Sequence, residues 1–170
     1  MTLTLQRCEV RSWHAADLEP LVLHANNRNI WINLRDRFPH PYTRSDGRHF
    51  IREARKMAPE TFFAIAVDGR AAGGIGFVLQ SDVERVSAEV GYWLGESFWG
   101  KGIATEALMA VTQFAIERHQ LTRLFALPFA FNTASCRVLE KAGYALEARL
   151  RRSAIKDGTI VDQLQYAFVP

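Results

Sequence analysis

The sequence predicts an α/β (α+β) domain built on a mixed, mostly antiparallel sheet of about seven strands flanked by helices. Three observations carry this reading. Hydrophobic spacing switches along the chain between a period of two and the helical period. Asp68-Gly69 and Asp157-Gly158 each separate two strand-like runs, as hairpin turns do. A glycine-rich turn from Gly95 to Gly102 opens onto a long apolar-striped segment. With 170 residues and 48% hydrophobic content, one domain spanning residues 1–170 with a continuous core is expected.

Leu3, Leu5, Cys8 and Val10 mark a first strand whose alternation slips phase midway. Leu18, Leu21, Val22 and Ala25 then fall at helical spacing within 15–26, and a short second helix is expected around 30–34. Phe38-Pro39-His40-Pro41-Tyr42 is loop, because each proline pushes the residue before it toward extended geometry. Thr43 caps the next helix, to Arg55, with Asp46 as its capping-box partner. Strands follow over 61–67, 71–80 and 86–94, and Gly91 marks a bulge or a close backbone approach in the last of them. After the glycine-rich turn, Ala104, Leu108, Val111 and Ala115 stripe a helix that ends near His119. The run 124–129 is apolar enough for a buried strand beside a crossover helix. A helix over 132–142 stopped by Gly143, then strands over 144–151 and 160–169, complete the chain.

Composition narrows the function. No stretch approaches the roughly 20 apolar residues of a membrane span, and the opening residues lack a signal peptide's apolar region, so a cytoplasmic location and no membrane partner are expected. Cys8 and Cys136 stand far apart without neighbouring histidines, which suggests neither a disulfide scaffold nor a metal site. The 21 basic and 18 acidic residues are interspersed, giving +3. That balance suits an enzyme with a polyanionic cofactor. Arg149, Arg151 and Arg152 cluster, but no nucleic-acid signature accompanies them, and no nucleic-acid partner is expected. A homodimer is compatible with all of this.

The most informative stretch runs from Glu89 to Leu108, a strand, a small-residue turn and a helix N-terminus. Unpaired backbone N–H groups and the positive end of the helix dipole favour an anion there, and Gly100, Gly102 and Ala104 let a phosphate approach the backbone. Tight-turn architecture alone would also use these glycines. A nucleotide P-loop would need Ser or Thr after the lysine, whereas Lys101 is followed by Gly102 and Ile103, which argues against ATP. A dinucleotide fingerprint would need glycine at Thr105 and an acidic residue near Leu121, and NAD is the weaker alternative.

Trp99-Gly-Lys-Gly102-Ile-Ala104-Thr-Glu-Ala resembles the signature loop of the GCN5-related N-acetyltransferases, in the form written by the branch that acetylates ribosomal-protein N-termini and its small-amine relatives. Trp99 stands where the wider family has Gln or Arg. A second family element is similar to Asn132-Thr-Ala-Ser135 followed by Leu139-Glu-Lys-Ala-Gly143-Tyr144. The resemblance covers roughly Arg7 to Phe168. It implies a sheet splayed in the middle and acetyl-CoA as co-substrate. It also implies pyrophosphate held by the backbone of Gly100, Lys101, Gly102, Ile103, Ala104 and Thr105, with Lys101 adding charge, and Trp99 and Asn132 as further cofactor-site residues. Pantetheine would lie between the strands at 86–94 and 124–129, with a backbone N–H near Trp93 or Leu94 polarising the thioester.

An attacking amine must be neutral, so a proton acceptor is needed. Strand alternation puts Glu89, Gly91 and Trp93 on one face, making Glu89 the candidate base, with an ion pair to Arg85 or Arg123 as its purely structural alternative. Many family members place a tyrosine seven residues after the Asn; here that position is Leu139, and the resemblance gives Ser135 the duty of general acid or thiolate stabiliser. Helix capping would equally explain Asn132 and Ser135. Phe38, His40 and Tyr42 are the candidate acceptor-binding residues, for a small-molecule amine or a protein N-terminus. The reaction so implied is direct transfer in a ternary complex. The alternative is a non-catalytic acyl-CoA-binding module on the same fold.

Overall fold

The computed structural model describes residues 1–170. Strands β1 (Thr2–Thr4), β2 (Glu9–Arg11), β3 (Phe62–Val67), β4 (Arg70–Leu79), β5 (Ser87–Leu94), β6 (Arg123–Ala126), β7 (Ala145–Lys156) and β8 (Thr159–Phe168) form one sheet in the order β1-β2-β3-β4-β5-β6-β8-β7. Helices α1 (Leu18–Ala25), α2 (Arg28–Trp31), α3 (Arg44–Lys56), α4 (Ile103–His119) and α5 (Thr133–Lys141) cover it. Neighbouring strands are antiparallel except β5 and β6, which run parallel through the α4 crossover.

Eight strands form rather than seven. The phase slip in the first segment is a turn: Leu5 N–H donates to the Cys8 carbonyl at 2.9 Å, and β1 folds back on β2 with Leu3 opposite Val10. The first helix opens with a 3-10 turn over Ala15–Asp17, and α2 starts earlier than expected because Asn27 caps it by accepting from the Asn29 N–H. Thr43 and Asp46 form the expected capping box on α3. Asp68-Gly69 makes the expected β3–β4 turn, with φ of 49° and 77°.

Alternation along β3 sorts the core. Phe63 and Ile65 enter a cluster of 23 buried residues under α4 and α5, with Phe77, Leu108, Leu124 and Leu139 among its fully buried members. Ala64 faces the other side, where α1 and α3 pack Trp13, Leu21, Tyr42 and Ile51 against the sheet. Beneath this smaller cluster, Arg11 and Asp17 form a buried two-point ion pair, both bonds 2.8 Å.

The site-forming irregularity is where β5 leaves β6. Only Ser87, Ala88 and Glu89 pair with Arg123, Leu124 and Phe125; β5 continues to Leu94, whereas β6 ends at Ala126. Pro128, with no N–H to offer a ladder, stands two residues on. The strand expected to reach Phe129 is therefore shorter, and Phe129 keeps a single bridge to Gln163. No bulge occurs at Gly91: the β4–β5 register runs unshifted from Gly73 opposite Leu94 to Leu79 opposite Ala88. Truncation of β6, not a bulge in β5, opens the gap.

Candidate active site

A cavity of about 1000 Å³ passes through this gap, from the N-terminus of α4 to the face of α3. Its first half is mostly backbone. In an antiparallel ladder alternate residues turn their N–H and C=O groups to the same neighbour. Gly95 N–H donates to the Ala72 carbonyl and Gln80 N–H to that of Ser87, which fixes the phase: Glu89, Gly91 and Trp93 bond toward β4. Tyr92 and Leu94 point the other way, beyond the last β6 partner. The Leu94 carbonyl is taken by Trp99 Nε1 at 2.7 Å, which ties the signature loop to the strand end and leaves the Leu94 N–H facing the gap. Of the two amides expected to polarise a thioester, Trp93's is turned into the ladder and Leu94's is available.

The loop beyond Trp99 is held open by two left-handed residues, Gly100 (φ 74°) and Gly102 (φ 76°). No side chain caps α4, and its first backbone bond runs from Glu106 N–H to the Gly102 carbonyl, so the amides of Ile103, Ala104 and Thr105 face the cavity unclaimed. Glu106, the acidic residue of this turn, faces away and accepts from the N–H groups of Gln6 and Arg7 at 2.9 and 3.0 Å. Lys101 is not part of the cavity wall: its Nζ donates to the Ser97 carbonyl at 2.9 Å and stands over Phe98. Arg137 and Lys141 of α5 supply positive charge to this half instead. Both escaped the sequence reading, since an exposed basic residue on an amphipathic helix carries no signal of its own.

Asn132 and Ser135 meet here as well. Asn132 caps α5, its side chain accepting from the Ser135 N–H at 3.1 Å. The Ser135 hydroxyl is not spent on backbone; it shares a hydrogen bond of 2.9 Å with the Tyr92 hydroxyl, which also lies 3.2 Å from the Ser135 carbonyl. Burial pushes the Tyr92 phenol well above its ordinary value, against the pull of its bond to Ser135, so it stays protonated at neutral pH. Tyr92 is the functional candidate that sequence reasoning missed. The signal was its position on β5 in opposite phase to Glu89, on the α5 side. Leu139, where the wider family has tyrosine, is fully buried in the core.

The second half is made of side chains. Phe38, Tyr42, Phe50 and Trp93 line it, with Phe38 packed 5.0 Å from Tyr42 and 5.5 Å from Trp93 between ring centroids. Gly91 forms part of the floor, with nothing within 4 Å of where a Cβ would stand. His40, expected in the acceptor pocket, lies outside the wall: it is exposed and packs against Trp31 at 5.6 Å. Glu89 projects into this half, three-quarters buried, and pairs with neither Arg85 nor Arg123 but with Arg35 from the loop after α2. Arg123 is engaged by Glu147, and Arg85 donates to the Asp82 carbonyl.

A bare strand edge, an uncapped helix N-terminus and a carboxylate across the gap suit a phosphorylated thioester and an amine. A family model described as the acetyltransferase (GNAT) domain matches residues 7–145. The chain belongs to the GNAT acetyltransferases. Among GNAT relatives, the uncharacterized N-acetyltransferase YoaA of Bacillus subtilis (strain 168) is 34% identical over 97 residues, 57% of this chain and 54% of that protein. The chain spans about half the length of curated relatives such as this one. Two solved GNAT structures share the fold over nearly the whole chain. RimL, the ribosomal L7/L12 alpha-N-protein acetyltransferase in complex with coenzyme A, superposes with a TM-score of 0.88 at 20% identity, covering 99% of this chain and 98% of its own. The microcin C7 self-immunity acetyltransferase MccE, in complex with acetyl-CoA and AMP, gives 0.86 at 24% identity, covering 98% and 94%. No helix is long and apolar enough to cross a membrane, and no group of three or more His, Cys, Asp or Glu side chains could hold a metal ion.

Proposed function

We propose that this protein is an N-acetyltransferase that moves the acetyl group of acetyl-CoA to a primary amine by direct attack in a ternary complex. The observation that carries the reading is the union, in one cavity, of unclaimed amides at Leu94 and Ile103–Thr105 with Glu89 on the far side of the same strand. The amides of the signature loop and the first turn of α4 hold the pyrophosphate, helped by Arg137 and Lys141. Pantetheine extends along the free edge of β5 as an added strand.

In the chemical step the amine nitrogen forms a bond to the thioester carbon and the carbon–sulfur bond breaks, its electron pair leaving with sulfur. The Leu94 N–H meets the developing oxyanion. Glu89 takes the amine proton, directly or through one water. Ser135, backed by the protonated Tyr92, meets the departing thiolate with a hydrogen bond or a proton. The acceptor, a small amine or a protein N-terminus, enters between Phe38, Tyr42 and Trp93. No covalent enzyme intermediate is required.

Titration calorimetry with acetyl-CoA, against NADH and ATP as controls, tests the cofactor half. CoA release over a panel of amines and N-terminal peptides tests the other. One-site binding of acetyl-CoA alone, with turnover that falls by about 10²–10⁴ in Glu89→Gln while acetyl-CoA affinity holds, is the expected result. Binding without turnover of any amine would leave an acyl-CoA-binding module, and no binding by the folded protein would end the assignment.

A further inference from the structure

The carboxylate of Glu89 is already occupied: Arg35 donates to its Oε1 inside the cavity that both residues line. The segment that carries Arg35 is anchored through the side chains of its neighbours. Lys156, its side chain 1% exposed, donates to Asp36 Oδ1 at 2.8 Å and stands 3.8 Å above the Trp31 ring. Arg28 Nη2 binds Asp157 Oδ2 at 2.6 Å. With residues 28–36 tied to the β7–β8 hairpin at two points, the long, half-exposed side chain of Arg35 is the part free to move.

An ammonium group arriving at Glu89 shares the carboxylate with that guanidinium through the free Oε2 or displaces it, and either outcome is most favourable when each ion gains a new partner of opposite charge. Glu89 finds one in the ammonium. For Arg35 the cavity offers none. The other carboxylates in its wall are Asp46, which accepts from the Thr43 N–H at 2.8 Å and its hydroxyl at 2.6 Å, and Glu53, which holds Arg52 at 3.0 Å. Asp36, beside Arg35 in sequence, is bound to Lys156. Arg37, two residues on in the same wall, adds a second positive charge rather than an anion.

We infer that the acceptor brings the missing anion itself: it is an amine with a carboxylate on the same carbon, an α-amino acid, whose ammonium goes to Glu89 and whose carboxylate goes to Arg35. The closed ion pair is then replaced by two, with no ion left alone. Arg35 is a specificity-determining residue of the acceptor site, and the aromatic wall of Phe38, Phe50 and Trp93 receives the amino-acid side chain. This rests on the N-acetyltransferase reading and narrows its acceptor.

The test titrates CoA-loaded protein with amino acids and their decarboxylated counterparts: phenylalanine with phenethylamine, leucine with 3-methylbutylamine, alanine with ethylamine. Phenylalaninamide, which like a peptide N-terminus lacks the carboxylate, is the third arm. In at least one pair the amino acid should bind about tenfold more tightly or better, equivalent to at least ~1.4 kcal/mol, with the amide behaving like the plain amine. In Arg35→Met that advantage should vanish, because the amino acid loses its carboxylate partner while the plain amine, relieved of the guanidinium that competes for Glu89, binds at least as tightly as before; in turnover KM for the amino acid should rise far more than kcat falls. No carboxylate advantage in any pair, or an advantage that survives Arg35→Met, overturns the inference. Failure of the underlying reading shows differently, as loss of acetyl-CoA binding in the unaltered protein.

Discussion

The two halves of the cavity are built from different materials. The loop side presents main chain: two glycines with positive φ, three unclaimed helix amides and the edge of a strand that has outrun its neighbour. The proposed acceptor side presents side chains drawn from the α2–α3 loop, α3, β3, β4 and β5. A main-chain site is specified by a short contiguous stretch and tolerates most side-chain changes. A side-chain site depends on elements far apart in sequence, so it can change without disturbing a neighbouring half built from main chain.

The largest expected effect tests whether the acceptor half depends on its scaffold. Burial pushes the Asp17 carboxyl up, but the bonds it accepts from Arg11 and the His14 N–H outweigh this and hold it below the usual carboxylate range. Asp17→Asn removes the closer of the two carboxylates that face the buried guanidinium, leaving Glu9 at 3.5 Å, and should cost up to about 3 kcal/mol of stability, measured by urea unfolding at pH 7. Because the folded-state pKa is the lower one, the stabilisation is complete above the unfolded value of about 4 and is lost as pH falls through the folded value. A variant that loses nothing at pH 7 would contradict the pairing.

Next comes the main-chain half. Gly102→Val forces a branched side chain into a left-handed position, a strain of about 1–2 kcal/mol, and displaces the amides that follow. Acetyl-CoA affinity should fall about tenfold or more. Gly69→Val imposes the same strain in the β3–β4 turn, where φ is 77° and the surroundings are open, and should leave acetyl-CoA affinity unchanged. Equal effects of the two would mean that the loop contributes only stability.

Tyr92→Phe sharpens the boundary between the halves. It removes the partner of the Ser135 hydroxyl and should lower kcat about fivefold, in keeping with ~1 kcal/mol for one hydrogen bond, with acetyl-CoA affinity preserved. A larger loss than Ser135→Ala gives would move the proton-donor role to the tyrosine. Trp99→Phe should have the smallest effect: the loop loses its 2.7 Å bond to the Leu94 carbonyl, and acetyl-CoA affinity drops about two- to threefold, the lower end for a net hydrogen bond.

What the sequence makes legible follows the same division. The turn from Trp99 to Gly102 and the helix start at Ile103 could be read because glycine spacing and helix initiation are local. Thr43 with Asp46 and Asp68 with Gly69 were legible for the same reason. Lys101 was misplaced because a flexible side chain beside a phosphate loop can turn either way, and here it finds the Ser97 carbonyl. His40 was misplaced because its ring faces Trp31, a contact that spacing does not encode. The identity of the partner of Glu89 was illegible because Arg35 lies 54 residues away and is brought in by a loop whose anchor, Lys156, lies 120 residues from Asp36.

By itself, then, the sequence determined the α/β architecture, the glycine-rich loop before α4 and the strand carrying Glu89, each written in local periodicity and backbone preference. Only the tertiary structure decided that β6 stops short and opens the gap, that Tyr92 backs Ser135, and that Arg35 closes on Glu89. These are contacts between distant segments, and their partners are chosen by packing and by the cost of leaving a charge or a hydroxyl unpaired in a partly buried site.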